Sequence, residues 1–197
     1  MKNPCRCTPL LFALAFAATL TFALPASAQM GNMDMPAKQS DAAAKPMLSP
    51  AAQTDVTLGA TTITIHYNSP AMRGRVIMGG LVPYGQVWRT GANPATSFVT
   101  TGNLKIGSLS VPAGNYTLYT LPATPGTPWL LIINKQTGQW GTEYNINEDL
   151  GRIPMQAKPM SAPQEVMSIT FENTTPTSTE LHVRWETTDR FVKITTR

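Results

Sequence analysis

Thr62-Ile63-Thr64-Ile65-His66-Tyr67 changes from polar to apolar at every step, with Ile63, Ile65 and Tyr67 on one side and Thr62, Thr64 and His66 on the other. A period of two is that of an extended strand with one face buried and one face wet. Glu180-Leu181-His182-Val183-Arg184-Trp185-Glu186 repeats the pattern, and so does Met167-Ser168-Ile169-Thr170-Phe171. Trp129-Leu130-Leu131-Ile132-Ile133 is continuously apolar, which predicts a central strand covered on both faces. Between such segments the chain turns often. Gly107-Ser108 separates Leu104-Lys105-Ile106 from Leu109-Ser110-Val111, a two-residue hairpin connection beginning with glycine. Val111-Pro112-Ala113-Gly114 feeds a strand at 116–121, and Lys135-Gln136-Thr137-Gly138 breaks the chain again. Threonine-rich strands, frequent turns and the lack of a helical stripe predict an all-β fold. The expected architecture is an antiparallel β-sandwich, with jelly-roll connectivity as one option.

Upstream of this domain the composition changes. Lys2 and Arg6 precede an apolar run, Leu10 to Leu24, interrupted only by Thr19 and Thr21; Pro25 and the small residues Ala26-Ser27-Ala28 follow. That order predicts a signal peptide over 1–28, cleaved after Ala28, and a periplasmic or secreted protein. The run is shorter than the roughly 20 apolar residues of a membrane span, and no other segment is long enough. Cys5 and Cys7 both fall in the removed segment, so the mature chain would lack thiols and with them disulfides, thiolate metal sites and cysteine nucleophiles. Without Lys2 and Arg6 the chain keeps 13 basic and 11 acidic residues, a balance that gives no case for nucleic acid as partner. Residues 29–52 carry Ala, Pro, Lys and Met with no periodicity and read as a flexible linker, leaving 53–197 as the domain. Met30, Met33 and Met35 in that linker are soft thioethers, which opens a reading as a periplasmic copper-related protein.

The longest interval without alternation, 68–96, is the richest in chemistry. It contains Arg73-Gly74-Arg75, Leu81-Val82-Pro83-Tyr84-Gly85 and Val87-Trp88-Arg89-Thr90-Gly91-Ala92-Asn93. Together with Pro112-Ala113-Gly114-Asn115-Tyr116-Thr117-Leu118, these runs resemble the bacterial exported family called domain of unknown function 2911, from about Leu48 to the C-terminus. The run from Trp88 to Asn93 is the most specific part. Members usually carry an acidic residue after that asparagine, where this chain has Pro94. The resemblance implies a secreted or periplasmic β domain of bacterial type and no particular activity.

From residue chemistry, Arg73, Arg75, Tyr84, Trp88, Arg89 and Asn93 are the candidate ligand-binding set. Guanidinium forks pair with carboxylate, sulfate or phosphate oxygens, and Trp88 and Tyr84 can stack on a sugar ring. The alternative is that the arginines bond loop carbonyls and Trp88 is core. His66 and His182 both point away from the apolar face of their strands, as surface histidines do. Were those strands neighbours, the pair could recruit Glu180 or Glu186 to a metal. No serine sits in a Gly-x-Ser-x-Gly elbow, and Asp55, Glu143, Glu148 and Asp149 show no catalytic pairing. No catalytic residue, cofactor or resident metal is therefore assigned. Asn115 and Asn173 match the glycan acceptor pattern, which matters only in a eukaryotic secretory route. The leading reading is a non-catalytic binding or envelope-associated module for an anionic small molecule or glycan. An exported hydrolase using His66 or His182 is the alternative.

Overall fold

A computed structural model describes residues 48–197. The signal peptide assigned to 1–28 and the methionines Met30, Met33 and Met35 lie outside the described residues. One sheet runs in the order β1 (Ala51–Leu58), β2 (Thr61–Asn68), β3 (Thr96–Thr100), β6 (Gly114–Leu121), β7 (Leu130–Asn134) and β8 (Asp149–Pro154). The other runs β10 (Gln164–Glu172), β11 (Ser178–Glu186), β12 (Thr188–Thr196), β4 (Leu104–Ile106) and β5 (Leu109–Val111), with the short β9 (Gln156–Lys158) also paired to β12. Every pairing is antiparallel. The sole helical element among the described residues is a 3-10 turn, Ile146–Glu148, and no helix among them is long and apolar enough to cross a membrane.

The alternating segments do what their period requires. Ile63 and Ile65 of β2 and Leu181, Val183 and Trp185 of β11 are buried in one core shared with Phe98, Leu118, Leu131, Ile133, Ile169 and Ile194. Two sheets each apolar on one face bury those faces against each other, which makes the sandwich. The continuous run also behaves as expected, because Ile132 is as fully buried as Leu131 and Ile133 although it faces the other way. A segment after β7 covers that outer face. Gln139 Nε2 donates to Tyr119 Oη at 2.9 Å, Tyr119 Oη donates to Glu143 O at 3.0 Å, and Tyr144 packs edge-on to Tyr119 at 5.0 Å.

The Gly107-Ser108 connection closes the β4–β5 hairpin, with Ile106 opposite Leu109. Gly107 has φ 55°, and a Cβ on it would lie 2.5 Å from Ile153 Cγ2 of β8, so the turn and the approach of the first sheet both require glycine. β1 begins at Ala51, two residues before the boundary drawn from composition. It is held by a full register on β2, from Ala51 opposite Asn68 to Leu58 opposite Thr61.

A candidate anion pocket beneath the β2–β3 crossing

Residues 69–95 leave the first sheet at the end of β2 and return at β3 without forming a strand. The crossing is fastened to both sheets. Ser69 Oγ donates to Met167 O, Met167 N–H to Pro70 O (2.9 Å), and Met72 N–H to Glu165 O (2.8 Å). The Glu186 carboxylate accepts from the N–H groups of Ile77 (3.2 Å) and Met78 (3.1 Å), and Glu165 Oε1 accepts from Arg73 N–H at 2.8 Å. On the other side Trp88 and Thr120 exchange two backbone hydrogen bonds of 2.8 and 2.9 Å. Ile77 and Val82 drop from the crossing into the core. Loop side chains on such a scaffold are held in place and do not need to be ordered by a ligand.

This crossing covers a pocket of about 350 Å³ lined in part by Arg73, Arg75, Trp88, Arg89, Asn93 and Trp185. Five of the six residues singled out from sequence thus meet in one concavity, and no carboxylate side chain is in its lining. The two glutamates that approach the crossing, Glu165 and Glu186, are engaged by its backbone N–H groups. Tyr84 is the residue that the structure separates from the set. It lies beside Met78, Trp129 and Arg190 in a different hollow.

The three arginines are not equivalent. Arg73 Nη2 donates to Leu48 O at 2.5 Å, and Arg75 donates from Nε to Met72 O (2.9 Å) and from Nη2 to Ala71 O (2.7 Å). Both are exposed, so these bonds fix their direction at the rim without removing them from solvent. Arg89 is half-buried, its Nε is buried with no hydrogen-bond partner, and burial lowers its pKa. Among the described residues nothing accepts from its guanidinium. Its stem crosses Gly141, where a Cβ would stand 2.0 Å from Arg89 Cδ and 2.6 Å from Asn93 O. Gly141 N–H also donates to Asn93 O at 3.2 Å, so that glycine permits the close passage of arginine and loop.

Trp88 serves the scaffold as well as the pocket. Its ring stacks on Trp185 at 5.8 Å and 21°, and its Nε1 donates to Gly91 O at 3.2 Å. One ring face and the indole N–H are therefore already engaged, as the structural alternative supposes. The backbone here is unusual. Arg73 (φ 51°), Thr90 (φ 53°) and Asn93 (φ 60°) are three of the five non-glycine residues with positive φ among those described. For β-branched Thr90 that conformation costs about 1–3 kcal/mol. It is held by full burial, by Thr90 Oγ1 donating to Thr120 Oγ1 (3.1 Å), and by Thr96 Oγ1 donating to Thr90 O (2.9 Å).

The histidines do not meet, because β2 and β11 belong to different sheets. His66 is exposed as expected, but His182 is fully buried although it points away from the core. Its neighbours on the outer face of the second sheet account for this. Phe191 stacks on it at 4.9 Å, Asp189 Oδ1 lies 2.8 Å from its Nδ1, and Glu180 Oε2 lies 3.4 Å from its Nε2. Arg184 ties Asp189 (2.8 Å) and Glu172 into the same network, and its hydrogen bond holds the Glu172 pKa down at about 2. Strand alternation locates the face of His182 correctly, but the face is itself covered by long side chains from adjacent strands.

The fold and pocket thus define an all-β sandwich domain with a guanidinium-lined pocket under one crossing loop. The family model for a protein of unknown function, DUF2911, matches residues 49–194, and the chain belongs to that family. No curated protein and no solved structure matches the chain.

Proposed function

We propose that this domain is a non-catalytic binding module that holds an anionic group, a phosphate, sulfate or carboxylate, in the pocket under residues 73–93, and that it works in the periplasm or outside the cell. The observation that carries this reading is the charge of the pocket: three guanidiniums line it, no carboxylate does, and Arg89 has no partner among the described residues. A half-buried cation without a counter-ion is costly to hold, and an entering oxyanion relieves that cost with charge-assisted bonds. The left-handed backbone at Arg73, Thr90 and Asn93 fits a loop shaped for a ligand. Export is supported by the basic, apolar and small-residue order of 1–28. An acidic glycan offers the same groups, with sugar rings for the free face of Trp88.

The test is calorimetric titration of inorganic phosphate and sulfate into the protein and its Arg89→Lys variant. An ammonium cannot reproduce the planar fork, so the variant is expected to bind at least about tenfold more weakly. A thermal shift accompanies binding, worth about 2.7 kcal/mol when the anion stands at about 100 times its Kd. Absence of binding by the wild type, or equal binding by Arg89→Lys, would refute the reading.

A further inference from the structure

Arg190 stands on the inward register of β12, two and four residues before the buried Val192 and Ile194. A guanidinium at such a position ordinarily meets a carboxylate or a set of carbonyls. Arg190 meets neither among the described residues: its Nε is buried without a hydrogen-bond partner. Its neighbour in sequence, Asp189, faces the opposite way and is bound by His182 and Arg184. What Arg190 does have is Trp129, whose ring centre lies 5.4 Å from the guanidinium carbon. Trp129 is itself buried and fixed by its Nε1 donating to Ala123 O at 3.1 Å.

Two hollows meet at this arginine. One, of about 400 Å³, contains Glu186, whose charge disfavours an anion on that side. The other, of about 550 Å³, is formed with Thr127, Pro128, Pro154 and Gln156 and has no carboxylate in its lining. Through Thr127, Pro128 and Pro154 the second hollow adjoins an apolar one of about 640 Å³, walled further by Leu121, Pro122 and Leu130. None of these residues lines the pocket under 73–93. The prolines hold the β6–β7 loop and the end of β8 in shape before any ligand arrives.

We infer that Arg190 and the wall made by Pro122, Pro128, Leu130 and Pro154 form a second ligand site, for a monocarboxylic acid with an apolar body. One guanidinium pairs with one carboxylate through two parallel hydrogen bonds. No other cation lines either hollow, so a dianion such as phosphate would remain half-compensated there. The apolar wall gains by covering a hydrocarbon and nothing by covering an ion. The two pockets therefore differ in what they add to an anion: two further guanidiniums around Arg89, and an apolar wall beside Arg190.

Decanoate titrated into the purified protein, followed by calorimetry and by the arginine Nε–Hε resonances in NMR, tests the site. Decanoate should bind and shift the Arg190 resonance. Read at the Arg190 resonance, decanol, which lacks the charge, and acetate, which lacks the tail, should each bind at least about tenfold more weakly. Arg190→Gln should weaken decanoate at least about tenfold, while Arg89→Gln should leave it unchanged. Should Arg190→Gln fail to fold, Thr127→Glu decides the matter: Thr127 is exposed in the loop, and a carboxylate there repels the ligand without touching the core. The inference is overturned if decanoate does not bind, if decanol binds equally well, if Thr127→Glu leaves the affinity unchanged, or if Arg89→Gln abolishes it.

Discussion

Replacing Arg89 with methionine separates a binding arginine from a structural one. Methionine keeps an unbranched stem over Gly141, with Sδ where Cδ now lies, and deletes the guanidinium whose Nε is buried without a partner. A buried unsatisfied donor costs about 1–3 kcal/mol, and the lowered pKa of Arg89 reports the same burial from the side of charge. The head group opens on a pocket, so its loss leaves no sealed cavity, and water contact there reduces the gain. Arg89→Met is therefore expected to stabilise the protein by about 1 kcal/mol, a rise in Tm of about 2–4 °C for a domain of this size. The same variant should lose phosphate binding by at least about tenfold. Stability is read by urea denaturation with the slope checked for two-state behaviour, and binding by calorimetry. The reasoning fails if Arg89→Met loses about 1 kcal/mol or more while phosphate affinity is unchanged. That result would make the guanidinium a structural bond to the loop and the Trp88–Asn93 run a folding motif.

Three further expectations concern other residues. Gly141→Ala should destabilise by about 1–3 kcal/mol, because a Cβ 2.6 Å from Asn93 O forces backbone to move; a denaturant melt identical to wild type would contradict the geometry. Glu172 has a folded pKa of about 2 against a usual value of 4.5, so its contribution is present above pH 4.5 and is lost as pH falls towards 2. Because its side chain is 29% exposed, the effect is about 1–3 kcal/mol, and Glu172→Gln should show a correspondingly flatter loss of stability between those pH values. Export with cleavage after Ala28, as proposed above, predicts a chain that begins at Gln29, and an intact mass that retains residues 1–28 would overturn the signal-peptide assignment.

The period-two segments at 62–67, 167–171 and 180–186, the continuous run at 129–133 and the hairpin at Gly107-Ser108 were enough to state an all-β sandwich, because alternation and turn chemistry act between residues close in the chain. Strands whose pattern is broken escaped that reading. β12 sets Arg190 on its inward face, β8 contains Gly151 and Pro154, and β3 buries Thr96 and Thr100 beside Phe98. The concentration of arginines in 73–89 was likewise legible, since it lies in the interval that cannot be a strand. Which arginine lacks a partner was not. Arg73 finds Leu48 O, Arg75 finds carbonyls of its own turn, and Arg89 passes over Gly141, a contact with a segment far along the chain. The burial of His182 and the isolation of Arg190 belong to the same class of fact. Burial and charge compensation depend on which strands become neighbours, and strand order is set by the packing of two sheets, which no local pattern encodes.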